Sequence, residues 1–374
     1  MKGGHERVLH VMWSMGIGGA ERAVFQLAVA QRASGRDVGV LVAGEPGFYA
    51  ERLVEDDVEL VTLGQHTALD PAAALRARAV FRKWDIVHFH VAEPLLMLAA
   101  SAAPVRRFLT HRAGKFTYPV ARRARYAAVG QIVRRGFEAV VGNTQHAAHV
   151  ANSLFRLRGS HVGTIYNGID WDLLRPTRPV GEIRHALALP HETFVLGTSG
   201  NLRGWKRVDL ALRALARVSG DVTFVVVGDG PSRDALERLA HAVGLGESVR
   251  FVGRQANVAD YLQVCDAFVL PSGPEESFGN SAVEAMGSGV PTIVFADGGG
   301  VVEHVRHGET GVVVAGVDEL AQWIRSLMDD RNLRGSLAAA GKTAVRQRYT
   351  IEHMLDGHER LYGIGAASLV EVCA

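Results

Sequence analysis

Short apolar runs alternate along the whole chain with longer segments in which apolar residues recur every third or fourth position. The runs predict buried strands near Val8–Trp13, Val38–Val42, Leu60–Leu63, Ile86–Phe89, Arg107–Leu109, Ala139–Val141 and Val162–Tyr166. The rhythm restarts at Phe194–Thr198, Val222–Val227, Val249–Val252, Ala267–Leu270, Thr292–Phe295 and Val312–Val314. The longer spacing predicts helices such as Glu21–Ala33, Pro71–Lys83 and a last one over Ile351–Tyr362. Strands that are apolar throughout and linked by helices belong to parallel sheets covered on both faces. Neither half shows low complexity or a short repeat. The turn Asn167-Gly168-Ile169-Asp170, followed by Pro176 and Pro179, marks a boundary expected at 168–178. The fold class is therefore α/β, with two Rossmann-like doubly wound domains whose ligands sit beyond the carboxyl ends of the strands.

A chain of 374 residues is too long for one ordinary core, which agrees with two domains. Lys and Arg number 41 against 39 Asp and Glu, so the strong basic excess of a general nucleic-acid binder is absent. Cys265 and Cys373 lack metal-ligand spacing, and Cys265 lies in an apolar helical pattern that reads as core. Two isolated cysteines suit a reducing compartment. The first apolar run is a strand rather than a secretory signal, and Leu95–Ala103 is too short to span a bilayer. A cytoplasmic protein is expected.

The stretch Pro271-Ser272-Gly273-Pro274-Glu275-Glu276-Ser277-Phe278-Gly279-Asn280-Ser281-Ala282-Val283-Glu284-Ala285-Met286-Gly287-Ser288-Gly289-Val290-Pro291 carries the most chemistry. Pro271 ends a buried strand, and a loop feeds a short helix from about Gly279 to Gly287. The unpaired N–H groups and positive dipole end of such a helix suit a phosphate. Glu284, about one turn further in, is placed for a ribose diol, and Glu276 on the loop for a second hydroxylated group. The stretch resembles the E-x7-E signature of retaining GT-B glycosyltransferases, in particular glycosyltransferase family 4. Further segments match that family in the same order, over most of the chain. The resemblance implies residues 1–170 as an acceptor-binding domain and 171–350 as a nucleotide-sugar domain facing it across a cleft. It also implies that 351–374 contains a helix crossing back to the first domain.

Four other loops bear on this reading. Gly200-Asn201-Leu202-Arg203-Gly204-Trp205-Lys206-Arg207 follows a strand, and Arg203 and Lys206 are spaced to converge on one anion. The family has a loop Arg and Lys here that neutralise the leaving diphosphate. Its commonest form puts Arg directly after the first Gly, where this chain has Asn201, so Arg203 takes that role from two positions later. Val227-Gly228-Asp229-Gly230-Pro231 is not a dinucleotide fingerprint, because the third glycine position holds Arg233. It resembles the family's V-G-x-G-P turn, and Pro231 is expected in the first turn of the next helix. The loop Phe251–Gln255 implies contact with the base through backbone groups, and Arg254 is read either as part of that contact or as structural. Gly298–Glu303 resembles the family's G-G-x-x-E element. In the first domain, Gly18 and Gly19 lie in the turn before the first helix, where the family approaches the donor phosphate. His111 stands at a strand end and resembles the family's T-x-H or T-H histidine near the transferred sugar, whereas His88 and His90 alternate on a strand and read as core.

Pro94 to Phe137 contains no Asp or Glu, while Arg106, Arg107, Arg112, Lys115, Arg122, Arg123, Arg125, Arg134 and Arg135 fall within it. Such a run, 106–135, fits a phosphorylated acceptor, a peripheral contact at the inner face of an anionic membrane, or simply a solvated helix face. The expectation is a retaining transferase that uses a UDP- or GDP-sugar and an unidentified acceptor. It would bind no nucleic acid and require no cofactor or metal. Glu276, His111, Lys206 and Arg203 are its catalytic candidates. Gly18, Gly19, Arg203, Lys206, Arg254, Glu276, Phe278, Gly279, Asn280 and Glu284 are its donor-binding candidates. A nucleotide-sugar epimerase or hydrolase, and a non-catalytic sugar-nucleotide-binding protein, are the alternatives.

Overall fold

The structure is a computed structural model that describes residues 6–65, 67, 70–157, 162–190 and 192–364. Cys373 lies outside the described residues. The chain divides into two compact units. The described residues of Met1–Ile169 and Tyr349–Ala374 form the first, and Asp170–Arg348 forms the second.

The first unit contains strands β1 (Val8–Met12), β2 (Val38–Val42), β3 (Glu59–Thr62), β4 (Ile86–Phe89), β5 (Arg106–His111), β6 (Ala139–Gly142) and β7 (Val162–Thr164). They pair in parallel in the order β3-β2-β1-β4-β5-β6-β7. Helices α1 (Gly19–Ala33), α2 (Phe48–Glu55), α3 (Pro71–Phe81), α4 (Pro94–Ser101), α5 (Val120–Gly136) and α6 (Gln145–Phe155) supply the crossovers. Alternation sorts the strand side chains onto two faces. Leu9, Val11, Leu41, Val87 and Leu109 meet α3 to α6 through Phe81, Met97, Val129 and Phe155. Val38, Val40 and Val42 meet α1 and α2 through Val24, Phe25 and Leu53. β5 is longer than its apolar residues predict. The guanidinium groups of Arg106 and Arg107 reach Glu138 and the carbonyls of Gly136 and Ala100, which lets charged residues occupy strand positions.

The second unit has α7 (Val180–Ala186), β8 (Phe194–Ser199), α8 (Val208–Leu215), β9 (Val222–Val227), α9 (Arg233–Ala242), β10 (Val249–Gly253), α10 (Ala259–Leu262), β11 (Ala267–Leu270), α11 (Asn280–Ser288), β12 (Thr292–Phe295), β13 (Val312–Val314), α12 (Val317–Asp329) and α13 (Arg331–Arg348). Its parallel sheet runs β10-β9-β8-β11-β12-β13. Pro231 lies in the turn before α9 rather than inside its first turn. The Ser232 amide donates to Leu202 O at 2.9 Å, which ties this segment to the loop after β8 and delays the helix to Arg233. The chain then returns to the first unit as α14 (Ile351–Ile364), where Leu361 and Tyr362 pack on Val8, Ile86 and Phe108. Among the described residues no helix is long and apolar enough to cross a membrane.

Candidate functional site

In the sheet of the second unit, β8 and β11 are neighbours from which the chain winds in opposite directions. The crevice beyond such a switch point is the usual ligand position in open α/β sheets. The loop after β8 brings Lys206 to this point, and the loop after β11 brings Glu276. Lys206 Nζ donates to Glu276 Oε2 at 2.6 Å, and Ser272 Oγ donates to the same oxygen at 2.8 Å. Both charged side chains are largely withdrawn from water, at 13% and 9% exposure, so their attraction is weakly screened. The Lys206 ammonium also lies 4.7 Å from the centre of the Trp205 ring.

Arg207, next to Lys206, holds the wall of this site together. It donates to Pro271 O at 2.8 Å and Ser272 O at 2.7 Å, and it pairs with both oxygens of Asp297. The Arg207 hydrogen bonds keep the Asp297 carboxyl below its usual range. One guanidinium thus fastens the loop after β11 to the loop after β12. The planar fork of Arg suits this, and a Lys could not make the same set of bonds.

Gly279 turns the chain into α11 at φ 71, and a Cβ there would lie 2.5 Å from Val301 Cγ2. Phe278 is buried, and its carbonyl accepts from His304 Nε2 at 2.7 Å. Burial holds the His304 imidazole down to about 3, so it stays neutral and donates. Asn280 opens α11 and Glu284 is buried one turn further on. The loop after β9 closes on the same edge. Gly228 N donates to Gly253 O at 2.8 Å, and a Cβ on Gly228 would come within 2.0 Å of Gly200 O. Arg203 and Arg254 are exposed on the loops after β8 and β10, and the Arg203 carbonyl accepts from the Lys206 amide at 2.9 Å. Cys265 donates to Tyr261 O at 3.2 Å, and burial pushes its thiol up to about 12, so it is an inert packing residue.

Gly18, Gly19 and His111 belong to the first unit. Gly18 caps α1 with extended backbone, and Gly19 is the first helical residue. His111 is buried edge-on against Phe155 with ring centres 5.6 Å apart, and its Nε2 has no hydrogen-bond partner. Strand alternation places Thr110 and Arg112 on the opposite face of β5. Arg112 Nε donates to His90 Nδ1 at 3.3 Å, and Arg112 Nη1 to Asn167 Oδ1 at 2.6 Å. His90 Nε2 meets His10 Nδ1 at 2.9 Å, and His10 Nε2 meets Gln31 Oε1 at 2.8 Å. Because Gln31 Oε1 only accepts and Arg112 only donates, the protons of both rings sit on Nε2. His88 completes the layer between Tyr362 Oη and Thr110 Oγ1, at 2.7 Å each. His10, His88 and His90 are close enough to suggest a metal cluster. Their ring nitrogens are already hydrogen-bonded, however, and Arg112 adds positive charge beside them, which suits neutral imidazoles rather than a cation.

Comparison with known proteins decides the family. The model for Glycosyl transferases group 1 matches residues 180–344, and that for Glycosyltransferase Family 4 matches 17–173. The chain belongs to the GT-B glycosyltransferases. Relatives of this chain include the lipopolysaccharide core biosynthesis glycosyltransferase LpsD of Rhizobium meliloti, 35% identical over 52% of the chain and 55% of that protein. The D-inositol 3-phosphate glycosyltransferase of Stackebrandtia nassauensis is 30% identical over 75% of the chain and 63% of its own length. The chain thus spans less than two thirds of either relative. Among solved structures, Anabaena Alr3699/HepE in complex with UDP and glucose superposes at a TM-score of 0.84, with 21% identity, over 96% of this chain and 100% of that one. WaaG, a glycosyltransferase involved in lipopolysaccharide biosynthesis, superposes at 0.76 with 18% identity over 95% and 100%. At these identities both show the fold.

Proposed function

We propose that this glycosyltransferase moves a sugar from a nucleoside-diphosphate sugar, UDP-linked in preference to GDP-linked, to an acceptor hydroxyl. The anomeric configuration is retained and no metal ion is needed. The observation that carries the reading is the buried Lys206–Glu276 pair at the β8/β11 switch point, beside the start of α11. Crystal structures of the HepE protein with UDP and with UDP-glucose favour uridine for the donor.

In this reading the second unit holds the donor and the first the acceptor. Lys206 and Arg203 meet the charge of the departing diphosphate, together with the amide end of α11 at Phe278, Gly279 and Asn280. Glu284 accepts from the ribose diol. Glu276, steadied by Ser272, orients the transferred sugar and faces the positive charge that grows on its ring. Arg254 borders the base. Gly18 and Gly19 give the donor phosphate close access to backbone in the first unit, and His111 acts near the transferred sugar.

The test is nucleoside diphosphate release from UDP-sugars with saccharide, lipid-linked and small-molecule acceptors, followed by proton NMR of the product. Expected are turnover that falls at least a hundredfold in Glu276→Gln, on the scale of one lost electrostatic contact at a reacting centre, and an α-linked product from an α-linked donor. A β-linked product would refute retention, and full activity in Glu276→Gln would remove its role.

A further inference from the structure

The basic run of the first unit splits into two groups once its partners are known. Arg106 pairs with Glu6 and Glu138, and Arg125 with Glu93. Arg107 and Arg134 cap helix-end carbonyls, and Arg112 is held by His90 and Asn167. These charges serve the fold. Lys115 and Arg123 are different: among the described residues neither has a carboxylate partner, and both line a cavity of about 600 Å³ between α5, α6 and the loop that leads into α5.

Arg156, His146 and His149 join the lining from α6 and its end, and no Asp or Glu contributes to the wall. Three like charges around one recess repel each other, and the low-dielectric wall focuses their field on whatever enters. The recess therefore selects an anion, and one of more than single charge balances it best. A phosphomonoester carries about −1.5 to −2 charges at neutral pH and offers three acceptor oxygens, against one charge on a carboxylate. Arg and Lys together also match phosphate oxygens, one as a fork and one as a point charge.

The rest of the lining describes what carries the phosphate. Phe116 and Tyr118 stack with centres 5.9 Å apart, and Arg122 covers Tyr118 at 5.6 Å. Phe116 and Tyr118 give the recess an aromatic side beside its cations, and the volume suits a ligand of sugar or cyclitol size. A second observation comes from the layer beside the pocket. His111 is nine-tenths buried, its Nε2 has no hydrogen-bond partner, and the lining residue His146 stands near enough to add to the lowering of its proton affinity that burial begins.

We infer that the pocket between α5 and α6 binds a phosphomonoester on a hydroxylated ring or chain, and that this is how the first unit recognises its acceptor. Only the word acceptor rests on the glycosyl-transfer reading. The same chemistry occurs free, as in a sugar phosphate, or as the head group of a lipid.

The test uses the full chain with its donor site filled by UDP, so that the phosphate seat of the second unit is blocked. Inorganic phosphate, glucose 6-phosphate and inositol 1-phosphate are titrated by calorimetry, with glucose and inositol as uncharged controls. Flotation with phosphatidylcholine vesicles, with and without phosphatidylinositol 4-phosphate, tests the lipid-borne form. Saturable binding of a phosphorylated probe, absent for its uncharged control and at least tenfold weaker in the double variant Lys115→Gln/Arg123→Gln, supports the pocket. Binding confined to phosphatidylinositol 4-phosphate vesicles and lost in the same variant assigns the lipid-borne form. No binding of any phosphorylated probe, or binding unchanged in the double variant, overturns the inference while UDP binding persists. Failure of UDP itself to bind strikes the transfer reading instead, and the phosphate titrations are then judged without it.

Discussion

His358 offers a clean test of the buried imidazole layer that joins α14 to the first sheet. It is almost fully buried, its Nδ1–H donates to Met354 O at 2.8 Å, and its Nε2 has no partner. Burial lowers its proton affinity from 6.5 to about 3. A histidine whose folded pKa lies below its unfolded value leaves stability intact above about pH 6.5 and removes it as pH falls toward the folded pKa. Near pH 5 the unfolded chain has bound a proton that the folded chain refuses, a penalty of about 2 kcal/mol at about 1.36 kcal/mol per pH unit. His10 and His111, each lowered to about 4 by burial, act in the same direction in the same unit, as do His88 and His90. Burial also raises the Glu21 and Glu93 carboxyls, which opposes this trend at the acid end of the range. His358→Leu removes one titrating site. At about pH 7.5 it should change stability by no more than about 1 kcal/mol, since one hydrogen bond is lost and one unpartnered nitrogen goes with it. Between about pH 7.5 and 5 its melting temperature should fall less than that of the wild type, by about 4–8 °C for a unit of this size. Scanning calorimetry at the two pH values measures this. An equal fall in both proteins would refute the picture of a neutral buried ring.

Other outcomes follow from the second unit. Lys206→Met leaves the Glu276 carboxylate buried with Ser272 as its remaining side-chain partner, so urea unfolding near neutral pH should show a loss of about 3 kcal/mol; unchanged stability would show that the pair is not isolated from water. Gly279→Ala forces a Cβ against Val301 at positive φ and should cost about 2 kcal/mol by the same assay, with weaker nucleotide binding. Arg207→Lys keeps the charge but not the fork, so hydrogen exchange over residues 271–279 should quicken and UDP affinity drop; protection equal to that of the wild type would argue against the staple.

Much of the fold was legible because a parallel strand buried on both faces is an apolar run with nothing else in it. Val38–Val42, Val222–Val227, Ala267–Leu270, Thr292–Phe295 and Val312–Val314 begin and end where hydropathy places them. β5 defeated that rule because Arg106 and Arg107 lie inside it and lead their charges out to Glu138 and to helix-end carbonyls. Loop architecture was legible where signals are local, as for the loops that carry Lys206 and Glu276 and for the start of α11. It was not where a bond joins distant segments. Nothing near Arg207 announces Asp297, ninety positions on, and nothing near His304 announces the Phe278 carbonyl. The histidines of β1 and β4 read as core, yet their chain from Gln31 through His10 and His90 to Arg112 depends on strand register, which no local pattern reveals.

The most direct test of the central claim is calorimetric titration of the chain with UDP-, GDP-, dTDP- and ADP-sugars, repeated with Glu284→Ala and Glu284→Gln. The expected result is saturable binding led by a UDP-sugar and reduced at least tenfold in both variants while their melting temperatures show them folded. Absence of binding by every nucleotide sugar, or binding indifferent to Glu284, would contradict the donor site at the β8/β11 switch point.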